Sequence, residues 1–178
     1  INKRYMGAYV LMEEFEKQWV RSRMTHHKGN LYKVTYKGDL VYYGPDPEIY
    51  KKMEAGNTLV YDQVQGDGTF EDLVRLIQAF NTTEENFEHA VSKIVDLDTV
   101  AKCFAFTFAT GMGDNMYSSA NNYLLYYNTH RDKFEVYIMD FEYFESYEYK
   151  IEYLLGNIYN PPMLNKPNEW LKLMNLAS

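Results

Sequence analysis

The pattern that most restricts the fold of this chain is a predicted β-hairpin with polar residues at its open end. Apolar and aromatic residues predict one strand over 123–128 and another over 134–139, with Thr129-His-Arg-Asp132 as the turn between them. In a hairpin, the start of the first strand lies beside the end of the second. Asn121-Asn122 and Asp140 occupy these positions, so an amide and a carboxylate are predicted to meet across the ladder. Their oxygens are ligands that suit Mg²⁺.

A second carboxylate, Asp114, precedes this hairpin. Gly111-Met-Gly113 ends the most apolar predicted helix, over about 97–110, and Asp114 follows directly. Phosphoryl transfer uses one Asp to orient the incoming hydroxyl, and a second Asp with an Asn to hold Mg²⁺. Asp114 and Asn122 are eight residues apart, whereas the corresponding pair of an ordinary protein kinase is five apart. The spacing alone is therefore a weak indication, and Asp114 equally fits a loop residue bonded to its own backbone.

The rest of the chain predicts an α+β fold. Apolar spacing predicts three successive helices that form a helical lobe, and Lys37-Gly38-Asp39 favours a hairpin turn after an early strand. The predicted helices cover 14–24, 48–54, 70–80, 84–95, 97–110 and 169–176, and the other predicted strands cover 5–13 and 31–36. Because strand 5–13 begins almost at the first residue, we expect the chain to be part of a larger protein.

Charge, apolar run length and histidine placement argue against nucleic acid, a membrane span and a zinc site. The chain has a formal net charge of −7 and a pI of about 5.1, and its Lys and Arg residues do not cluster in sequence, so nucleic acid is not expected as a partner. No apolar run approaches the roughly 18 residues that a membrane-spanning helix needs. The adjacent His26-His27 has no nearby Cys or third His, so a zinc site is not favoured there.

Five blocks along the chain, in order, resemble one protein family. Asn2–Glu13 is similar to its "NGxYxGxYxxxE" strand and Gly29-Asn-Leu-Tyr-Lys33 to its "GNLYK", while Gly113-Asp114, Asn122-Tyr-Leu-Leu-Tyr and Met139-Asp140-Phe-Glu142 resemble its "GNxD…NYYLY…PWDxD" signature. The family is the spore-coat protein H (CotH) kinase-like family of secreted and surface proteins. The resemblance covers roughly residues 1–146.

This resemblance implies an atypical protein-kinase-like fold for residues 1–178, with further amino-terminal strands expected upstream and 147–178 beyond the matched blocks. It implies phosphoryl transfer to Ser or Thr of secreted or surface-assembled proteins, with ATP and Mg²⁺ or Mn²⁺ as cofactors. The expected partners are a nucleotide and an extracellular or coat protein. The expected location is outside the cell, or on the cell or spore surface.

The resemblance also implies roles for particular residues. Asp114 is expected to orient the substrate hydroxyl, and Asn122 and Asp140 to hold the metal with help from Glu142. Two positions depart from the family signature, because Met139 replaces a Trp and Glu142 replaces an Asp. Glu142 keeps the negative charge but has a longer reach, so the metal geometry is left open.

Lys33 and Glu13 are expected to serve the nucleotide. In the matched Leu-Tyr-Lys block, Lys33 neutralises phosphate charge, with Glu13 as its ion-pair partner. A strand lysine can equally be a solvent-exposed residue. Some members of the family are surface adhesion or invasion proteins, so a binding module with weak or no catalysis is an alternative. A scaffold role in a spore coat, an invasin or a cellulosome-type complex is a third.

Overall fold

The structure is a computed structural model that describes residues 13–140 of the 178. Most of predicted strand 5–13, the predicted metal ligand Glu142 and predicted helix 169–176 lie outside the described residues. The elements, in chain order, are α1 (Lys17–Arg23), β1 (Asn30–Val34), α2 (Pro47–Lys51), β2 (Glu54–Ala55), β3 (Thr58–Leu59), β4 (Tyr61–Gln65), α3 (Glu71–Phe80), α4 (Glu84–Ile94), α5 (Leu97–Thr110), β5 (Tyr123–Asn128) and β6 (Lys133–Ile138).

Four of the strands form one antiparallel sheet in the order β4-β1-β5-β6. Strands β5 and β6 are the predicted hairpin, with pairs from Tyr123 opposite Ile138 to Asn128 opposite Lys133. Strands β2 and β3 pair separately as a short ribbon. The α+β class is therefore confirmed, with a small antiparallel sheet and helices.

The prediction of a hairpin turn at Lys37-Gly38-Asp39 is wrong. After β1 the chain leaves the sheet, and the Gly38 N–H donates to the carbonyl oxygens of Thr35 and Ala120 instead. The neighbours of β1 are β4 and β5, which come much later in the chain. Strand β4 was not predicted, because its Tyr-Asp-Gln-Val-Gln sequence has little apolar alternation.

The predicted helices within the described residues are confirmed, with shifts of a few residues at their ends. The most important for the site is α5. The Asp96 side chain caps its start by accepting from the Asp98 N–H at 3.2 Å. Gly111 ends it in the left-handed conformation, with φ of 64°, which a glycine adopts without a Cβ penalty. This ending directs the chain into the loop that carries Asp114.

The sheet separates two apolar cores. One lies between the sheet and helices α3, α4 and α5, and the other lies on the opposite face under α1. The α1 core consists of Trp19, Val20, Leu31, Leu124 and Tyr126. Tyr32 and Val34 of β1 belong to the first core. Because side chains alternate along a strand, Lys33 lies on the α1 face.

The Gly29–Lys33 block anchors the sheet to α3. Asp72, buried in the first turn of α3, accepts from Asn30 Nδ2 at 3.1 Å and from the Tyr32 hydroxyl at 2.6 Å. Burial raises the pKa of the Asp72 carboxyl, against the opposing effect of these hydrogen bonds. A Cβ on Gly29 would lie 2.0 Å from the Tyr127 carbonyl oxygen. In this block, therefore, the roles of Gly29, Asn30 and Tyr32 are explained by the fold alone, without a ligand.

Candidate active site

The Asp114 loop connects α5 to β5, and Asn115 organises it. Asn115 Oδ1 accepts from the backbone N–H groups of Tyr117 at 2.7 Å and Ser118 at 3.1 Å. Its Nδ2 donates to the Met112 carbonyl oxygen at 2.5 Å. Asn115 is buried, so these contacts are shielded from water and hold the backbone next to Asp114 in one conformation.

The Asp114 carboxylate contacts three polar side chains. Its Oδ2 accepts from Asn121 Nδ2 at 2.9 Å and from Asn122 Nδ2 at 3.0 Å. Its Oδ1 accepts from the Ser119 hydroxyl. The structure thus brings together two residues predicted from the sequence, Asp114 and Asn122. Because both carboxylate oxygens accept hydrogen bonds, the orientation of the carboxylate is fixed.

Asp140 lies at the same end of the hairpin as Asn122. The Met139 N–H donates to the Asn122 carbonyl oxygen at 3.0 Å, one step beyond the last ladder pair of β5 and β6. Asp140 follows and is exposed to solvent. Both Asn122 and Asp140 have positive φ, of 56° and 54°, a conformation that costs most L-residues about 1–2 kcal/mol but that Asn and Asp adopt more readily. The hairpin therefore ends in two residues whose backbones turn away from the strand direction.

Lys33 lies on β1, next to the strand that Asn122 begins. It pairs with Leu124 of β5 and with Asp62 of β4, so it is two register positions from Asn122. Lys33 is half-buried. Its backbone position is on the strand that neighbours the site, while its contact with a nucleotide stays a prediction.

The expected ion pair between Glu13 and Lys33 does not form. Glu13 instead contacts Arg23, with Arg23 Nη1 donating to Glu13 Oε1 at 2.7 Å. Both side chains are about half exposed. The pair forms because Glu13 shortly precedes α1 and Arg23 ends it, so the helix brings the two charges together. The predicted pairing with Lys33 rests on the position of Glu13 in the preceding predicted strand, and Arg23 is closer to Glu13 in sequence.

Ser119 and the amide of Asn121 are site residues that the sequence prediction missed in this role. The sequence predicts Asn121 at the mouth of the hairpin but not its contact with Asp114, and it predicts no role for Ser119. Both lie within seven residues of Asp114, in a polar Ser-Ser-Ala-Asn-Asn run. That run is the signal that could have identified them, because a loop that folds back on a carboxylate needs donors.

The donor chemistry of these residues fits a hard cation. Asp114, Asn122 and Asp140 offer carboxylate and amide oxygens, and the exposure of Asp140 leaves room for water ligands. Within residues 13–140 there is no group of three or more His, Cys, Asp or Glu that could hold a metal ion. Mg²⁺ usually binds through one or two carboxylates together with waters and substrate phosphates, and the metal role of Asn122 and Asp140 stays a prediction. They do not suit a structural zinc ion.

The sequence matches one family model over nearly its whole length. Residues 1–173 match the family model described as CotH kinase protein. The chain belongs to the CotH kinase family. A search of curated proteins found no match.

The CotH match includes every predicted site residue, from Glu13 to Glu142. For this CotH protein, the described structure is an α+β unit in which the Asp114 loop and the β5–β6 hairpin adjoin. Across residues 13–140, none of the helices has the length and apolar character needed to cross a membrane.

Proposed function

We propose that this CotH-family protein transfers the γ-phosphoryl group of ATP to Ser or Thr hydroxyls of secreted or surface-assembled proteins. The observation that carries the proposal is the direct contact between Asp114 and Asn122 beside the hairpin end that bears Asp140. Phosphoryl transfer depends mainly on positioning and charge neutralisation, so a few well-held groups can supply the chemistry. The family match supports the same reaction, and we extend the proposal to a kinase-like fold.

Asp114 is the residue that receives the substrate hydroxyl. Each carboxylate oxygen has about two acceptor positions. Oδ2 already accepts from two amides, whereas Oδ1 accepts only from the Ser119 hydroxyl among the described contacts. Oδ1 therefore keeps one position for the hydroxyl of a substrate. The Asp114 carboxylate is held in one orientation before the substrate arrives, by hydrogen bonds from Ser119, Asn121 and Asn122. This pre-organisation lowers the entropy cost of the reaction.

Asn122 and Asp140 are the residues that hold the cation, with Glu142 as a further ligand. Asn122 donates to Asp114 through Nδ2, so its Oδ1 is not used in that contact. When bound, Mg²⁺ or Mn²⁺ neutralises the charge of the nucleotide phosphates. Lys33 supplies a further positive charge from β1. Because Glu13 pairs with Arg23, we assign Glu13 to positioning α1 over the Lys33 face rather than to a direct contact with Lys33.

The substrates are proposed to be proteins outside the cell or on the cell or spore surface. This part of the proposal rests on the CotH match. The partners are thus a nucleotide and a secreted, coat or other surface protein.

The test compares Asp140→Asn with the parent chain in thermal melts and in a transfer assay. Saturating Mg²⁺ and ATP should raise the melting temperature of the parent, because a ligand at 100 times its Kd stabilises by about 2.7 kcal/mol. Asp140→Asn should lose both this shift and phosphate transfer to a Ser/Thr acceptor peptide, measured by mass spectrometry. Without metal it should be about as stable as the parent, because the change is near-isosteric and Asp140 is exposed to solvent.

Asp98→Asn is the matched control. Asp98 is an exposed carboxylate on α5 that pairs with Lys102, so the same change there should preserve both the melting shift and the transfer. The kinase proposal fails if the parent shows no shift with saturating Mg²⁺ or Mn²⁺ nucleotide. It also fails if Asp140→Asn transfers phosphate as well as the parent.

A binding module is the second candidate function, and an exposed aromatic surface favours it. Tyr36 and Tyr43 are each 58% exposed, and Val41 and Tyr42 between them are also exposed. Aromatic residues are enriched at protein-interaction surfaces. If the nucleotide experiments fail, this surface supports the adhesion or scaffold function.

A further inference from the structure

A groove with basic walls lies at the end of the sheet opposite the Asp114 loop. It is open to solvent and has a volume of about 410 Å³. Its lining residues come from α1, the α1–β1 loop, β1, β4, the β4–α3 connection and the β5–β6 turn: Lys17, Arg21, His27, Lys28, Gly29, Asn30, Gln65, Gly66, Asp67 and Thr129. The groove and Asn122 lie at opposite ends of β5, roughly 20 Å apart at about 3.4 Å per residue. It is therefore separate from the candidate active site.

The cations of this groove have no carboxylate partner in the described part of the chain. Lys17, Arg21 and Lys28 are exposed, and they form no ion pair or side-chain hydrogen bond within residues 13–140. Arg75 and Arg131, by contrast, each contact a carboxylate. In a chain with a net charge of −7, three exposed cations against the one carboxylate of Asp67 leave the groove lining with an excess of positive charge, and the local potential favours an anion.

The floor of the groove is held rigidly. Gln65 Nε2 donates to the carbonyl oxygens of His27 at 3.1 Å and Gly29 at 2.7 Å. These bonds join β4 to the loop before β1. Asp67, the carboxylate among the lining residues, accepts the backbone N–H of Thr69 at 2.9 Å and its hydroxyl at 2.8 Å. Asp67 Oδ1 is therefore already occupied by local donors rather than by a groove cation.

One polar atom beneath the groove lacks a partner. Gln65 Oε1 is the single buried side-chain oxygen or nitrogen in residues 13–140 that has no hydrogen bond. An unpaired buried acceptor costs about 1–3 kcal/mol. A ligand with an N–H group can satisfy it after a small shift of the side chain, and every non-proline residue of a protein segment carries such a donor. This atom favours a ligand that carries both an anion and backbone amides.

We propose that the groove lined by Lys17, Arg21 and Lys28 binds a phosphorylated Ser or Thr within a protein segment. The phosphate monoester contacts the cations, which suit its charge and acceptor oxygens, and a peptide N–H reaches Gln65 Oε1. The source of the phosphate rests on the proposed function, since the product of that reaction is such a segment. The groove then holds a substrate chain that already carries phosphate while another hydroxyl reaches Asp114.

The separation of the two sites sets a spacing rule for the substrate. An extended chain advances about 3.3–3.6 Å per residue. The roughly 20 Å along β5 therefore places the next acceptor hydroxyl about six positions along the chain from the phosphorylated residue. A shorter segment cannot occupy both sites at once.

The test measures binding directly, with the full chain and without ATP or metal. A fluorescent phosphoserine peptide is titrated with the protein and followed by anisotropy, beside the same peptide with unmodified Ser or with Glu. The phosphoserine peptide should bind at least about tenfold more tightly than the unmodified one, because charge-assisted hydrogen bonds are among the stronger polar contacts. The K17E/R21E double variant should weaken this binding by about tenfold or more, and higher salt should weaken it in the parent.

The K52E/K93E double variant is the matched control, because it makes the same change in net charge at exposed lysines away from the groove. It should bind the phosphoserine peptide like the parent, and thermal melts should show that both variants fold. Equal binding of the phosphorylated and unmodified peptides overturns the proposal, as does unchanged affinity in K17E/R21E. Inorganic phosphate that binds as tightly as the peptide overturns the assignment to a protein segment.

The binding test and the transfer test fail separately. Asp114→Asn should bind the phosphoserine peptide like the parent, because Asp114 contacts Asn122 at the end of β5 that lies away from the groove. Phosphopeptide binding without phosphate transfer supports the groove and contradicts the kinase proposal. Transfer without selective phosphopeptide binding contradicts the groove and leaves the kinase proposal in place.

Discussion

The two ends of the β5–β6 hairpin differ in charge and in how their residues are brought together. At the open end, Asp114 is surrounded by hydrogen-bond donors that lie within eight residues of it in sequence. At the turn end, the basic groove draws its cations from α1 and the following loop, and its floor from β4. One sheet thus holds a self-contained acidic site and a basic groove that is assembled over long range. We expect the first to resist changes elsewhere in the fold and the second to depend on distant anchors.

The largest expected effect is on catalysis at the open end. Asp114→Asn should reduce phosphate transfer by about 10²–10⁴-fold, the usual contribution of a positioned acid or base. The near-isosteric amide should leave the melting temperature close to that of the parent. The measurement is initial rate of transfer from ATP to a Ser/Thr acceptor peptide. If the variant transfers phosphate at the parental rate, Asp114 has no catalytic role.

The next largest effect tests the long-range anchor of the turn end. Asp72→Ala leaves the buried donors of Asn30 and Tyr32 without their acceptor. We expect the free energy of unfolding to fall by about 3 kcal/mol, because buried unpaired polar groups are costly. Urea unfolding measures this change. Asp62→Ala, at a half-buried carboxylate of β4, is the control, and a similar loss there would mean that Asp72 is not a special anchor.

A smaller effect is expected from one of the donors to Asp114. Asn121→Ala removes the 2.9 Å hydrogen bond to Oδ2 but leaves those of Asn122 and Ser119. Transfer should slow by about tenfold through poorer orientation of the carboxylate, while the melting shift with Mg²⁺ and ATP should persist. Loss of that melting shift would instead indicate that Asn121 takes part in binding the metal. Asn86→Ala, on the exposed surface of α4, should change neither quantity.

The smallest effect concerns an exposed pair near the turn end. Hydrogen bonding from the Tyr127 hydroxyl, together with Arg75, holds the pKa of Asp132 below its ordinary value of 3.8. The stabilisation is therefore present above that ordinary value and is lost as the pH falls through the lowered pKa. Because Asp132 is mostly exposed, we expect Asp132→Asn to cost less than about 1 kcal/mol at pH 7.

Thermal melts across the acid range check this prediction. The difference between Asp132→Asn and the parent should shrink as the pH falls below 3.8 and should disappear once Asp132 is protonated in the parent. A constant difference at all pH values would show that the contribution is not that of an ionised carboxylate.

Local patterns in the sequence predicted much of the fold and part of the site. The β5–β6 hairpin follows from two apolar strands around a polar turn, and the end of α5 follows from Gly111. These features depend on residues close together in sequence, where periodicity and glycine conformation act directly. Hairpin geometry also places Asn122 and Asp140 at the same end, because one precedes the first strand and the other follows the second. The family resemblance, carried by the order of the motifs, is confirmed.

Only the tertiary structure decided which distant segments meet. The neighbours of β1 are β4 and β5, not the segment that follows it, and Glu13 pairs with Arg23 rather than with Lys33. The Ser119 contact with Asp114 and the convergence of cations at the groove also arise from how the loops fold. A pattern within one segment carries no information on its partner, because strand pairing and side-chain contacts are chosen by the packing of the whole chain.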